Sequence, residues 1–359
     1  MAVEIDVCGP LEPPLERIVE GSLALRHAGA SGLWWPDHLI GFFPQAAWAP
    51  EFGVASDLPG PNDLADPFIA AAVAAVAARP KRVGIVVTDP LRRHPASLLQ
   101  SAATVAAGGT EFILGIGAGA AANVGPFGYD LQTRFRTLID SVALLCDLRA
   151  NDGPLSGDYR SFTLDGALAG IPQRRDVRIW IGGSGPGAAR LAGRAAEGWL
   201  PTRVPPARYA ELAAEMDTAA QRAGRPGPTA SLFAWSLVAE SHEAAHALLR
   251  APVLRSLLFF RQPEYFQARG MEHPLAGVTP TTEYLPSTLT PEQADRALKR
   301  VPDDLIHEYV VHGTPAEVRA WAAEMEQVGM QHAVLYDLAQ YLAGGAAVSR
   351  LHELLANDA

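Results

Sequence analysis

The sequence predicts a single-domain (β/α)8 barrel, an α/β fold, over its 359 residues. Three observations lead there. Eight strand-like stretches alternate with helical ones, and no Ser/Gly linker divides them. The clearest strands are apolar throughout, as strands covered by helices on both faces are. A doubly wound open sheet is the alternative for the same alternation.

Val3 to Val7 reads as the first strand and Leu15 to His27 as an amphipathic helix closed by Gly29. Leu33, Trp34 and Trp35 suit a pleated, packed surface, and Pro36 stops that strand by removing a donor. An irregular insertion over 40–62 follows, carrying Phe42, Phe43, Trp48 and Phe52. Asp66 caps and Pro67 begins an Ala-rich helix running to Arg79. Arg82 to Thr88 is a β-branched strand, Pro95 to Ala107 a helix and Glu111 to Ile116 a strand. A glycine-rich loop over 115–128 precedes the helix Leu131 to Leu148. A polar stretch with a possible small hairpin leads to the strand Val177 to Ile181.

Gly182 to Gly187 turns into the helix Ala188 to Ala196. Trp199-Leu200 is a short strand, followed by helix Pro206 to Ala223, strand Ala230 to Ala239 and helix His242 to Leu249. Residues 252–290 fit no β–α unit; Pro-rich and aromatic, they read as a lid or a partner surface. Helix Pro315 to Gln327, strand Ala333 to Tyr336 and helix Ala347 to Leu355 complete the pattern.

Hydrophobic residues make up 48% and charged residues 19%, an ordinary globular balance with enough apolar volume for a large core. A net charge of −10 argues against a nucleic-acid backbone or an anionic membrane as the main partner. Two distant cysteines, Cys8 and Cys146, give no disulfide framework and point to a reducing, cytoplasmic setting. The acidic, strand-like start is no signal peptide, and the longest apolar run, Phe68 to Ala78, is too short to cross a bilayer.

Asp37 and His38 sit where the second strand stops, the end at which barrels present chemistry. The plainer reading is a turn in which the Asp caps and the His is satisfied. Gly115, Gly117 and Gly119 lack the third glycine of a dinucleotide fingerprint, yet they let a flat ligand lie against the backbone. Gly182 to Gly187 stands before a helix N-terminus, which favours an anion, or serves only as a tight turn. Arg92 and Arg93, beyond Asp89, either clamp an anion or face solvent. No metal site is expected, and no Gly-x-Ser-x-Gly elbow or phosphate loop occurs.

Five stretches, in this order and spacing, resemble the luciferase-like flavin and deazaflavin oxidoreductases over nearly the whole chain. They are Trp34-Trp35-Pro36-Asp37-His38-Leu39, Val83 to Pro90, Leu114 to Asn123, Ile181 to Gly193 and Ala196 to Trp199. The Asp-His pair is similar to the branch that uses the deazaflavin coenzyme F420 rather than FMN. Residues 269–275 and 301–317 resemble its phthiodiolone ketoreductase subgroup, which reduces a ketone on a long lipid-like substrate. The resemblance implies a (β/α)8 barrel, a homodimer and an F420-dependent oxidoreductase of ketoreductase type.

By position it implies His38 at the deazaflavin's reactive carbon and Asp37 beside it on the cofactor side. It places a non-prolyl cis peptide at Val86-Val87 under the ring. Asp89, Gly117, Ala118, Gly119 and Asn123 fall at the ring and ribityl chain, and Gly183, Ser184 and Gly185 at the phosphate. An apolar substrate side is expected from 40–62 and 252–290, with Phe42, Phe43, Thr202, Arg203 and Trp235. Sugar-phosphate dehydrogenases of this branch carry a catalytic Glu after the Gly-x-Gly. Ala120 stands there and their lysines are missing, so a sugar phosphate is not expected. His38, as an imidazolium oriented by Asp37 or a backbone carbonyl, is left to handle the proton. An FMN-dependent monooxygenase or a cofactor-binding barrel without catalysis shares the same outline.

Overall fold

Eight parallel strands close on themselves in the computed structural model, which describes residues 3–202, 204–277, 284–345 and 349–356. They are β1 (Glu4–Cys8), β2 (Gly32–Trp35), β3 (Arg82–Thr88), β4 (Glu111–Ile116), β5 (Arg178–Gly182), β6 (Gly198–Leu200), β7 (Thr229–Val238) and β8 (His332–Asp337). Each pairs with the next, and β8 returns to β1 with Glu4 opposite His332. The closed barrel, not the open sheet, is therefore the fold. Helices Leu15–His27, Pro67–Ala77, Pro95–Ala106, Arg134–Ala150, Pro186–Ala195, Pro206–Arg222 and Pro315–Gln327 cover the outside.

The last helix is Leu351–Ala356 rather than Ala347–Leu355, whose residues 347 and 348 lie outside the described residues, and two further features differ from the sequence expectation. The polar stretch after the fourth helix is already part of an antiparallel hairpin, Leu155–Tyr159 with Phe162–Ala167. A three-residue strand, Val311–Gly313, pairs with the upper end of β7, His312 opposite Leu237. Three residues carry no readable period. β7 is long enough to hold β6 at Thr229–Ala230 and this strand at Ser236–Val238.

Indole rings fill the barrel where neighbouring strands give up volume. Register sets Trp34 beside Gly84 and Trp180 beside Gly198. A Cβ at Gly84 would meet the Trp34 ring at 2.2 Å, and one at Gly198 the Trp180 ring at 2.5 Å. The two indoles lie 5.4 Å apart, and His332 stands edge-on to Trp180 at 5.2 Å. Beside them Asp6, fully buried, accepts from Trp34 Nε1 at 2.8 Å and from Arg82 Nε at 2.5 Å, and lies 2.9 Å from His332 Nε2. Burial alone would raise the Asp6 pKa; His332 and Arg82 outweigh it and hold the carboxyl well below the usual range. This network belongs to the structure of the barrel, and the C-terminal strand ends are left for chemistry.

The chain after β2 makes two 3-10 turns, Gln45–Ala47 and Pro50–Phe52, before Asp66 caps the next helix by accepting from Phe68 N at 2.9 Å. After β7 and helix His242–Leu249 the chain makes a long excursion of short helices and returns at residue 311. Phe259 and Phe266 are buried within that excursion and join the core of the barrel. Among the described residues no helix is long and apolar enough to cross a membrane.

Candidate active site

A cavity of about 660 Å³ opens at the C-terminal ends of the strands, within the size range of small-ligand sites. The end of β2 supplies Asp37 and His38, because Pro36 ends the ladder and turns the chain across the barrel mouth. β3 supplies Val86 to Asp89, and its register shifts between Ile85 and Thr88. The Val86-Val87 peptide there is cis. Gly117, Ala118, Gly119 and Asn123 follow β4, and Gly183 and Gly185 follow β5. Thr202, Phe42 and Trp235 also line the space.

Two expected residues stand elsewhere, and a third lies outside the described residues. Phe43, in the bend after β2, packs away from the cavity onto Trp48 at 5.4 Å and Tyr341 at 5.2 Å. Ser184 is exposed at the rim, its hydroxyl donating to the Thr202 carbonyl at 3.1 Å, and does not line the cavity. Arg203 lies outside the described residues.

The Asp37 carboxylate is filled by Thr88 Oγ1 at 2.6 Å, Arg92 Nη1 at 3.1 Å and Arg93 Nε at 3.0 Å. Arg92 also binds Asp89 at 2.6 Å, and Arg93 reaches Asp66 at 2.7 Å while lying over the Phe68 ring. The two arginines thus neither clamp a ligand nor face solvent: three carboxylates of the chain itself consume them. What Asp37 gives His38 is charge through space.

His38 packs on Phe42, ring centres 4.3 Å apart. Burial drives its pKa down and Arg92 adds to the fall, while Asp37, the Ile40 backbone and Asp89 oppose it; the net is a drop to about 4. An imidazolium at neutral pH, the sequence expectation, is corrected to a neutral ring. Asn123 fixes the turn around it. Its Nδ2 donates to the Asp37 carbonyl at 3.0 Å and its Oδ1 accepts from Leu39 N at 2.6 Å.

The opposite wall is bare backbone. A Cβ on Gly182 would meet both Val87 methyls at 2.9 Å, and one on Gly117 would meet Val87 at 3.0 Å. Gly119 and Gly183 adopt φ of +87° and +141°, which side chains disfavour. Gly185 caps the ten-residue helix Pro186–Ala195 without any side-chain hydrogen bond, and a Cβ there would meet nothing. A flat ring against Val86-Val87 and the glycines, with an anionic tail at this helix end, fits the residues present.

Sequence reasoning missed Arg134, Phe135, Phe233, Leu257 and Tyr309, all on the cavity wall. The Arg134-Phe135-Arg136 run at a helix start was a readable signal for the first two. Arg134 is exposed and has no ion-pair partner among the described residues. Leu257, Phe260 and Tyr309 come from the excursion after β7, and only the folded chain brings them over the barrel mouth.

The profile of the luciferase-like monooxygenase family matches residues 4–332. A phthiodiolone/phenolphthiodiolone dimycocerosates ketoreductase of Mycobacterium kansasii is 29% identical over 322 residues, 86% of this chain and 88% of the relative. An F420-dependent secondary alcohol dehydrogenase, solved with an F420-acetone adduct, superposes with a TM-score of 0.73 at 19% identity, covering 99% of this chain and 98% of the other. The coenzyme F420-dependent tetrahydromethanopterin reductase of Methanopyrus kandleri gives 0.69 at 17% identity, covering 94% and 93%. The likeness to these two structures is one of fold.

Proposed function

Since the chain belongs to the luciferase-like monooxygenase family, we propose that it is an oxidoreductase that exchanges a hydride between coenzyme F420 and a carbonyl or alcohol on a largely apolar substrate. The observation that carries this reading is one neutral imidazole, His38, facing a glycine-lined cradle built on Val86-Val87. The names of the ketoreductase and alcohol dehydrogenase relatives support the same chemistry.

When bound, the deazaflavin supplies or accepts the hydride, and the protein supplies alignment and proton handling. Val86, Val87, Gly117, Ala118 and Gly119 would hold the ring, and Asp89 would shape the turn beside it. Gly183, Ser184 and Gly185 would hold the phosphate with main-chain amides at the helix start, with Arg134 near the same mouth. Reduction of a ketone leaves negative charge on oxygen, and the proton that completes the alcohol would come from solvent through the free His38 ring nitrogen. In the reverse direction the free ring nitrogen of His38 accepts the alcohol proton. Asn123 acts through His38 by fixing its turn, and Asp37 acts on it through its charge.

The substrate side is assigned to 40–62 and to the excursion after β7, which contribute Phe42, Leu257 and Phe260, together with Phe233 and Trp235. Ala120 at the wall leaves the site without the acid of the sugar-phosphate enzymes, which agrees with an apolar carbonyl compound. The working form is assigned as a homodimer.

Titration of the purified chain with F420 and, separately, with FMN tests the cofactor. F420 is expected to bind at least about tenfold more tightly, a difference of about 1.4 kcal/mol. Reduced F420 is then expected to be oxidised by ketones without oxygen. Tighter FMN binding with oxygen-dependent turnover would replace this reading with a monooxygenase.

A further inference from the structure

Away from the cavity, four imidazoles converge at the neck of the excursion after β7. His242 and His246 come from one helix, His242–Leu249, in the run His242-Glu243-Ala244-Ala245-His246. Spacing of i and i+4 puts both rings on one helix face. His312 comes from the short strand on the returning chain, and His307 from the 3-10 turn before it. His242, His246 and His312 each offer a nitrogen, and these atoms all lie within 4.8 Å of one another. The His246 ring is 4.2 Å from His242, 4.7 Å from His312 and 3.8 Å from His307.

The outer nitrogens are already spoken for. His242 Nδ1 lies 3.0 Å from the Glu317 carboxylate, and His312 Nδ1 donates to the Val310 carbonyl at 2.9 Å. Each contact leaves Nε2 as the nitrogen with the lone pair, the way metal-binding histidines are usually oriented from behind. The Nε2 atoms of His312 and His307 are buried without a hydrogen-bond partner among the described residues. Buried polar nitrogens are rarely left so.

We propose that His242, His246 and His312, with a water as the fourth ligand, bind one divalent transition ion of the zinc class in a site that ties the outgoing and returning ends of the excursion together. Three imidazole nitrogens suit zinc and its neighbours rather than calcium or magnesium. Zinc–nitrogen bonds of about 2.0–2.1 Å require the nitrogens to close to roughly 3.3 Å, which rotation of the three side chains supplies. Arg250 and Asp304 already bridge the same neck at 3.2 Å. The excursion so fastened carries Leu257, Phe260 and Tyr309 on the cavity wall.

The full chain, stripped with a chelator and dialysed, is titrated with Zn(II) and in parallel with Co(II). One ion per chain is expected, with the visible absorption of four-coordinate Co(II). His246→Ala and His312→Ala are expected to weaken binding by ~100-fold or more, and Glu317→Gln by about 10–100-fold. His27→Ala, an exposed histidine elsewhere, should change nothing. If an alanine variant fails to fold by circular dichroism, His246→Gln and His312→Gln take its place. Zinc should also slow amide exchange across 250–310. Absence of stoichiometric uptake, or uptake that survives loss of His246 and His312, overturns the site. Uptake with exchange over 250–310 unchanged overturns its structural role.

Discussion

Asn123 holds His38 by its two chain neighbours: its Nδ2 donates to the carbonyl before the histidine, and its Oδ1 accepts from the N–H after it. A second, longer contact from Ile40 N at 3.4 Å completes the clamp. The loop after β4 thereby positions a ring that the end of β2 delivers. Asn123→Ala should cost about 2–4 kcal/mol of stability through the lost buried hydrogen bonds. A misplacement of His38 by about 1 Å should also lower turnover by ~100-fold with F420 affinity little changed. Melting temperature, F420 titration and kcat, measured together, check this; equal losses in binding and turnover would point to collapse of the site instead.

Removal of the imidazole should separate chemistry from binding. His38→Ala is expected to keep F420 affinity within about threefold and to lose about 10²–10⁴ in turnover, the usual worth of a positioned acid or base. Unchanged turnover would take His38 out of the reaction.

The low His38 pKa sets the pH dependence. The ring must be neutral to accept an alcohol proton, so kcat/KM for oxidation should be level from pH 8 down to about pH 5 and fall as His38 protonates through about 4. A limb centred near 6.5 that disappears in His38→Asn would mean that burial does not depress this ring.

Gly182 is expected to be sensitive to size because it lies directly under the platform of the cradle. Its added methyl would press on both Val87 methyls at 2.9 Å and push the platform into the cavity. Overpacking of about 1–3 kcal/mol here should weaken F420 binding roughly 5- to 150-fold. Isothermal titration of Gly182→Ala reads this; wild-type affinity would show that the ring does not rest on Val87.

The network around Asp6 should show in stability and not in the reaction. Asp6→Asn leaves Arg82 and His332 short of a buried counter-charge, at about 3–5 kcal/mol near neutral pH. Because the folded pKa of Asp6 is depressed, its contribution is present above the ordinary carboxylate value and is lost as pH falls. The gap between the denaturant midpoints of the two proteins should begin to narrow below about pH 4 and keep narrowing as pH falls further. A gap independent of pH would mean that shape, not charge, is what Asp6 contributes.

Features that depend on a few adjacent residues were legible in the sequence: the strand stop at Pro36, the Asp66 cap, all eight barrel strands and the bare glycine turns after β4 and β5. Backbone period, capping and glycine's freedom are local properties, so local sequence determines them. Only the tertiary structure decided that Arg92 and Arg93 are consumed by Asp37, Asp89 and Asp66, that Phe43 turns from the cavity, and that His38 is neutral. It also brought His312 to the helix pair His242 and His246 from the far end of a long excursion. Charge pairing and desolvation are sums over groups far apart in the chain, and no window of neighbouring residues contains them.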